Sequence, residues 1–172
     1  SVDLGSLATG TYRYRNVNLS GAVQPGRQVT IIAESVTITG DITYGGGTYA
    51  SIKDLPYLVV ASRGDITVAN NVGTLTGTYQ TRANFNTCSQ PLSTVVGQGE
   101  SACPTQLRVE GSVIANRLAL RRTGGALQNP DYNAQAAEYF NQTPMSILAP
   151  YAASSGDTTI TTVFEKELPP RY

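Results

Sequence analysis

Histidine and tryptophan are both absent from this 172-residue chain, and methionine occurs once. Without imidazole, every mechanism that uses it as general base, proton shuttle or metal ligand is excluded, which removes most familiar hydrolases. Charge is scarce too: charged residues make up 14% of the chain, and twelve basic side chains balance twelve acidic ones. No field of one sign draws in nucleic acid or an anionic membrane, so neither is expected as a partner. Long apolar runs are missing. Stretches such as Leu58 to Ala61 and Val113 to Ala115 are strand-length, far short of the roughly 20 residues a bilayer needs, and no membrane insertion is expected. The sequence opens at Ser1 without Met or a charged-then-apolar leader, which reads as a mature form or an excised piece of a larger precursor.

What is present suffices for one ordinary domain with its own core, a chain of this length burying roughly two thirds of its unfolded surface. Cysteine occurs only twice, as Cys88 and Cys103, flanking a stretch from Ser89 to Ala102 rich in Ser, Gly, Gln and Pro. That stretch has too few apolar residues to hold its own ends together, and a disulfide is the expected device. Closing a loop of about 15 residues stabilises a fold by roughly 3 kcal/mol in the chain-entropy model, and such a bridge points to an oxidising compartment, extracellular or at the cell surface. The alternative is two unrelated buried thiols. A zinc site lacks ligands, and no metal or cofactor is expected.

From Val29 to Tyr44 the chain is rich in Val, Ile and Thr, with Val36, Ile38, Ile42 and Tyr44 two or four residues apart, the periodicity of strands. A pattern of apolar, polar, Gly, small or polar, apolar recurs at Leu19 to Val23, Ile38 to Ile42, Leu75 to Tyr79 and Val109 to Val113, with a weaker copy at Ser62 to Ile66. Gly40-Asp41-Ile42-Thr43 returns letter for letter as Gly64-Asp65-Ile66-Thr67, 24 positions later. Repetition of this order predicts an all-β parallel β-helix, or β-solenoid, with Gly at the corners and inward apolar residues stacking from coil to coil. Ile38, Ile42, Ile66, Val68, Leu107, Val109, Val113 and Leu118 are the expected stack. Gly45 to Pro56 and Asn84 to Thr105 read as loops inserted at corners. A β-sandwich is the competing fold, disfavoured because no Asn-Gly or Asp-Gly turn joins two strands.

After Gly124-Gly125 the texture changes. Asn129-Pro130-Asp131 reads as a helix cap with Pro at the first helical position, predicting one short helix over Tyr132 to Asn141. Beyond Thr143 the prolines at 144, 150, 169 and 170 predict an extended tail with a strand at Thr158 to Phe164, too apolar to stay unpacked. The predicted organisation is therefore β-helix coils with two inserted loops over 1–128, and a short helix with an extended tail over 129–172.

Gly10 to Tyr14, the residues around Cys88 and Cys103, Arg121 to Gly125, Ala137 to Phe140 and Leu168 to Pro170 together resemble a group of uncharacterised bacterial cell-surface proteins whose carboxyl-terminal module is a predicted parallel β-helix. The resemblance spans nearly the whole chain and implies a location but no chemistry. A looser likeness to the bactofilins, which polymerise end to end, concerns architecture alone.

Five constellations bear on function. If Asp41 and Asp65 occupy equivalent corners of adjacent coils, their carboxylates lie roughly 5 Å apart, the separation of a retaining glycosidase; the ordinary alternative is solvated turn chemistry. Arg63-Gly64-Asp65 spells an integrin-binding tripeptide, but coincides with the repeat's own glycine. Gly45-Gly46-Gly47 lacks the Lys-Ser/Thr and helix of a phosphate loop. Arg117, Arg121 and Arg122 read as strand-edge charges rather than a nucleic-acid patch. Ten tyrosines, Tyr44, Tyr49, Tyr57 and Tyr79 among them, offer a sugar-binding surface or else cover the core.

These features predict a non-enzymatic structural or adhesive surface protein that self-associates into homo-oligomers or filaments through open coil ends and its tail. Ser1 to Gly10, short and polar, gives the amino-terminal end no evident cover. The alternatives are a module that binds cell-surface glycans, or a β-helical polysaccharide-cleaving enzyme using Asp41 and Asp65.

Overall fold

Alternation of apolar and polar residues drives the long strands. In the stretch Gln28–Tyr44, Val29, Ile31, Ala33, Val36, Ile38 and Ile42 face inward, and the alternation slips at Glu34-Ser35 and again at Thr39 to Asp41. β-branched residues fit a pleated, half-buried surface, and the slips are where the strand bends while keeping its pairing. The computed structural model describes residues 1–47, 49–89, 103–122 and 136–153. Among them the strands are β1 (Val2–Asp3), β2 (Gly10–Val23), β3 (Gln28–Tyr44), β4 (Tyr57–Ser62), β5 (Ile66–Val68), β6 (Thr74–Asn86), β7 (Leu107–Ala119) and β8 (Glu138–Asn141), followed by helix α1 (Pro144–Ala153). Short 3-10 turns occupy Leu4–Ser6 and Ile52–Asp54.

Every pairing between these strands is parallel, in the order β1-β2-β3-β4-β6-β7-β8 with β5 between β3 and β6. An antiparallel β-sandwich is thereby ruled out for the described strands. On one side β3 pairs in succession with β4 over Gln28 to Ala33, with β5 over Val36 to Ile38 and with β6 at Ile42, while β4 and β5 each pair with β6. These four parallel strands close a ring, a small barrel to which β1, β2, β7 and β8 are added outside. This closure corrects the expectation of an open parallel β-helix, and with it the likeness to β-helical cell-surface proteins and to bactofilins. An open solenoid gives each strand one neighbour on either side, whereas long, bent β3 is spanned by three shorter partners. The sequence spacing is equally irregular, Gly10 pairing with Val29, Gln28 with Tyr57 and Thr74 with Arg108.

Core residues line up across the sheet. Ile31, Val60 and Tyr79 form one inward row, Val36, Ile66 and Phe85 a second, and Ile42, Leu75 and Val109 a third, all buried. Tyr79 and Phe85 meet edge to face with ring centroids 6.0 Å apart. The rows continue to Val113, Leu118 and Phe140, where burial fails: Val113 is half-buried, Leu118 is 44% exposed and Phe140 40%. Of the eight core residues expected, Leu118 is thus corrected, because it stands last in its row with no described strand beyond it.

The amino-terminal end is different from the open edge expected of it. Leu4 is fully buried against the core, Asp3 accepts from the Gly5 amide at 2.9 Å, and the Arg27 guanidinium donates to the carbonyls of Gly5 and Leu7. A single apolar residue in a short turn seals the end.

Two further corrections concern the carboxyl-terminal third. Glu138–Asn141, placed in a helix by its Ala-rich surroundings, is instead strand β8, paired with Leu107 to Glu110; an open strand edge with backbone groups to satisfy outweighs local helix preference. Conversely Pro144–Ala153, expected to be extended, is helical. Pro144 opens the helix, where its missing N–H costs nothing, and the Ser146 amide and hydroxyl both donate to the Thr143 carbonyl. The expected cap at Asn129 to Asp131 and the Thr158 to Phe164 strand lie outside the described residues. Cys88 and Cys103 form a disulfide, Cα atoms 6.2 Å apart, with both residues buried. No described helix is long and apolar enough to cross a membrane.

Candidate functional site

Asp41 and Asp65 do the same local work in different places. Asp41 accepts from the backbone amides of Gly73 and Thr74 at 2.7 and 3.1 Å, and Asp65 accepts from the Asn84 amide, the Asn84 side chain and the Asn86 side chain. Each precedes an inward Ile and ties its corner to the next strand. Ile66, however, pairs with Val36, whereas Ile42 pairs with Leu75, so the two identical tetrapeptides sit at different corners of the ring. The carboxylates are not stacked as a catalytic pair. Asp65 is also the acid of Arg63-Gly64-Asp65, and there it is engaged by Asn84 and Asn86.

The other sequence candidates are structural as well. Gly45 donates to the Val23 carbonyl and accepts from the Tyr49 hydroxyl, closing the loop between β3 and β4. Tyr44 accepts from the Leu58 amide, and burial, reinforced by nearby Tyr57 and Tyr49, pushes its phenol up to about 12. Tyr79 lies wholly inside, donates to the Thr76 carbonyl and has its pKa raised well above the ordinary value by burial. Tyr79 therefore presents no ring face to a sugar, and Tyr44 is half-buried.

Arg117, Arg121 and Arg122 separate. Arg117 is exposed on β7, whereas Arg122 is buried and donates to four carbonyls, those of Thr87, Asn70, Thr105 and Ala69. Glu138 accepts from the backbone amides of Arg121 and Arg122 and from the Thr87 hydroxyl. Burial lowers the Arg122 pKa and Glu138 opposes that shift. The reading of Arg122 as a strand-edge charge is corrected: it staples four chain segments together.

The one feature built from described residues alone that suits an extended ligand lies on the outer face of β3, β4, β6 and β7. Ile32, Ala61, Gln80 and Ile114 are register partners in succession and form the floor of a groove of about 390 Å³. Arg63 and Arg82 rise along its rim. They follow Ser62 and Thr81, which are themselves register partners with buried side chains, Arg63 in the bend after β4 and Arg82 on β6. Both arginines are exposed, and among the described residues neither guanidinium has an ion-pair or hydrogen-bond partner. One place further along the same row, Arg15 is paired with Glu34 at 3.4 Å.

The sequence reading missed this site. In the sequence Arg63 stands out only within the tripeptide and the weaker repeat copy at Ser62 to Ile66, and Arg82 belongs to no motif. A usable signal existed in the echo between Ser62-Arg63-Gly64 and Thr81-Arg82-Ala83, a hydroxyl residue, then Arg, then a small residue. A second groove of about 380 Å³ is lined by Gln106, Arg108, Ala136 and Tyr139, but the Arg108 guanidinium covers a face of the Tyr139 ring at 5.6 Å and is itself paired with Glu110.

Among the described residues no three His, Cys, Asp or Glu side chains gather as a metal site. No protein family, curated protein or solved structure matches the chain.

Proposed function

We propose that this chain is a carbohydrate-binding module that holds an extended glycan along the groove over β3, β4, β6 and β7. The observation that carries the reading is the combination of a flat apolar floor, Ile32, Ala61 and Ile114, with the hydrogen-bonding side chain of Gln80 and the two unpaired arginines. Sugar rings offer apolar C–H faces and polar edges, and a shallow groove with mixed lining meets both. The reading is for binding without turnover. The buried Cys88–Cys103 bridge supports a place outside the reducing cytosol, at the cell surface or beyond it. Retention on an array of neutral and acidic glycans tests the reading. Saturable retention, lost when Ala61→Trp fills the floor, is the expected result; a protein retained by no glycan overturns it.

Self-association is a second reading, favoured by the exposed row ends Leu118 and Phe140 set against the sealed end at Leu4. With one end sealed and one open among the described residues, two copies would meet through like surfaces and close into a pair. Sedimentation of the intact chain at rising concentration is the check. A dimer broken by Leu118→Glu supports the reading, and a monomer at every concentration removes it.

A further inference from the structure

We infer that the groove is selective for a linear polyuronate, with Arg63 and Arg82 each taking one carboxylate; this rests on the glycan-binding reading above. Arg63 and Arg82 follow the register pair Ser62 and Thr81, line the same groove and are exposed without a partner among the described residues, so an anion seated there meets two free donors of like charge. Glu34, whose backbone carbonyl accepts from the Gly64 amide beside Arg63, has its carboxylate paired with Arg15 at 3.4 Å.

Protection of a sheet edge does not account for the pair. Charged residues serve that purpose on edge strands, but β4 lies between β3 and β6, and β6 has β7 on its far side. Arg82 therefore stands on an interior strand and Arg63 in the bend directly after one, both lining the groove.

The chemistry of the partner follows from the side chains. A guanidinium presents a planar fork of donors that matches a carboxylate in bidentate fashion. Two forks from neighbouring chain segments call for carboxylates repeated along a chain, one per sugar ring, rather than a single acidic group. The ring faces then lie over Ile32, Ala61 and Ile114, with Gln80 left for hydroxyl groups. A polyuronate has this pattern, and a neutral glycan offers neither arginine a charged partner.

The experiment uses the full chain and three probes: a linear uronic acid hexamer, its methyl ester of the same shape without charge, and a sulfated neutral hexasaccharide. Calorimetric titration should show binding of the uronate that weakens with salt and little binding of the ester. Arg63→Gln and Arg82→Gln should each weaken it roughly tenfold, while Arg15→Gln, outside the groove, leaves it unchanged. Circular dichroism confirms that each variant is folded. Equal affinity for the ester overturns the inference and leaves glycan binding standing, and equal affinity for the sulfated probe overturns the assignment to carboxylates. Binding of none of the three, with the glycan array also blank, overturns both.

Discussion

At Gly111 a backbone requirement becomes a residue requirement. Its φ is +150°, and a Cβ built there would fall 1.9 Å from the carbonyl oxygen of Gly77, its partner on β6. No rotamer relieves that clash, since the obstacle is backbone. Gly111→Ala should destabilise the fold by about 1–3 kcal/mol from strain alone, with more from the steric conflict, and urea denaturation measures it. Tyr44 supplies a pH signature. Its folded pKa of about 12 exceeds the ordinary value of 10.0, so folding favours the neutral phenol. That contribution is complete below pH 10 and declines as pH rises through 12, and buried Tyr79 acts in the same direction. Thermal melts should therefore fall progressively above about pH 10, and Tyr44→Phe should flatten part of the fall. The glycines of the five-residue pattern were legible in the sequence, because apolar residues flank them at strand period. The roles of Asp41 and Asp65 were not, because identical tetrapeptides can occupy different corners, and only register tells which.

Strand pairing decides more than local preference does. The strand-rich run through β3 was plain from alternation, but Glu138–Asn141 became a strand because β7 offered unpaired backbone, and no reading of its own composition reveals that neighbour. Arg122 links the same elements. Its guanidinium reaches the carbonyls of Ala69, Asn70, Thr87 and Thr105, joining the segment after β5, the end of β6 and the approach to β7. Arg122→Met keeps much of the apolar stem and leaves those carbonyls without their donor. The expected loss is about 3 kcal/mol or more, with faster amide exchange in β8 and at residues 103–106 than in β3, measured by hydrogen exchange. Uniform exchange at the wild-type rate would show that Arg122 ties nothing together. In sequence, Arg121 and Arg122 look alike; one is half-buried and the other is a staple because the chain turns between them.

For the molecule as a whole, the all-parallel pairing and the inward rows follow from inserted loops that return the chain to its own side after variable lengths. That variability hid the closure of β3, β4, β5 and β6, since the 24-position sequence repeat corresponds to no pairing offset. Ends are harder still to read: Leu4 sits in the short polar stretch Ser1 to Gly10, whose composition gives no sign that this residue is buried. The groove was illegible for a related reason, as it is assembled from one outward residue on each of four strands, with two arginines 19 positions apart in the chain.

The central claim, that this outer face is a binding surface for an acidic glycan, is tested most directly by nuclear magnetic resonance of the labelled chain during titration with a uronic acid hexamer. The account predicts saturable shifts at the backbone amides of Ala61, Arg63, Gln80, Arg82 and Ile114, with the guanidinium signals of Arg63 and Arg82 moving together and the amides near Leu4 and Cys88 still. Shifts centred on any other face, or no shifts at saturating hexamer, would contradict it.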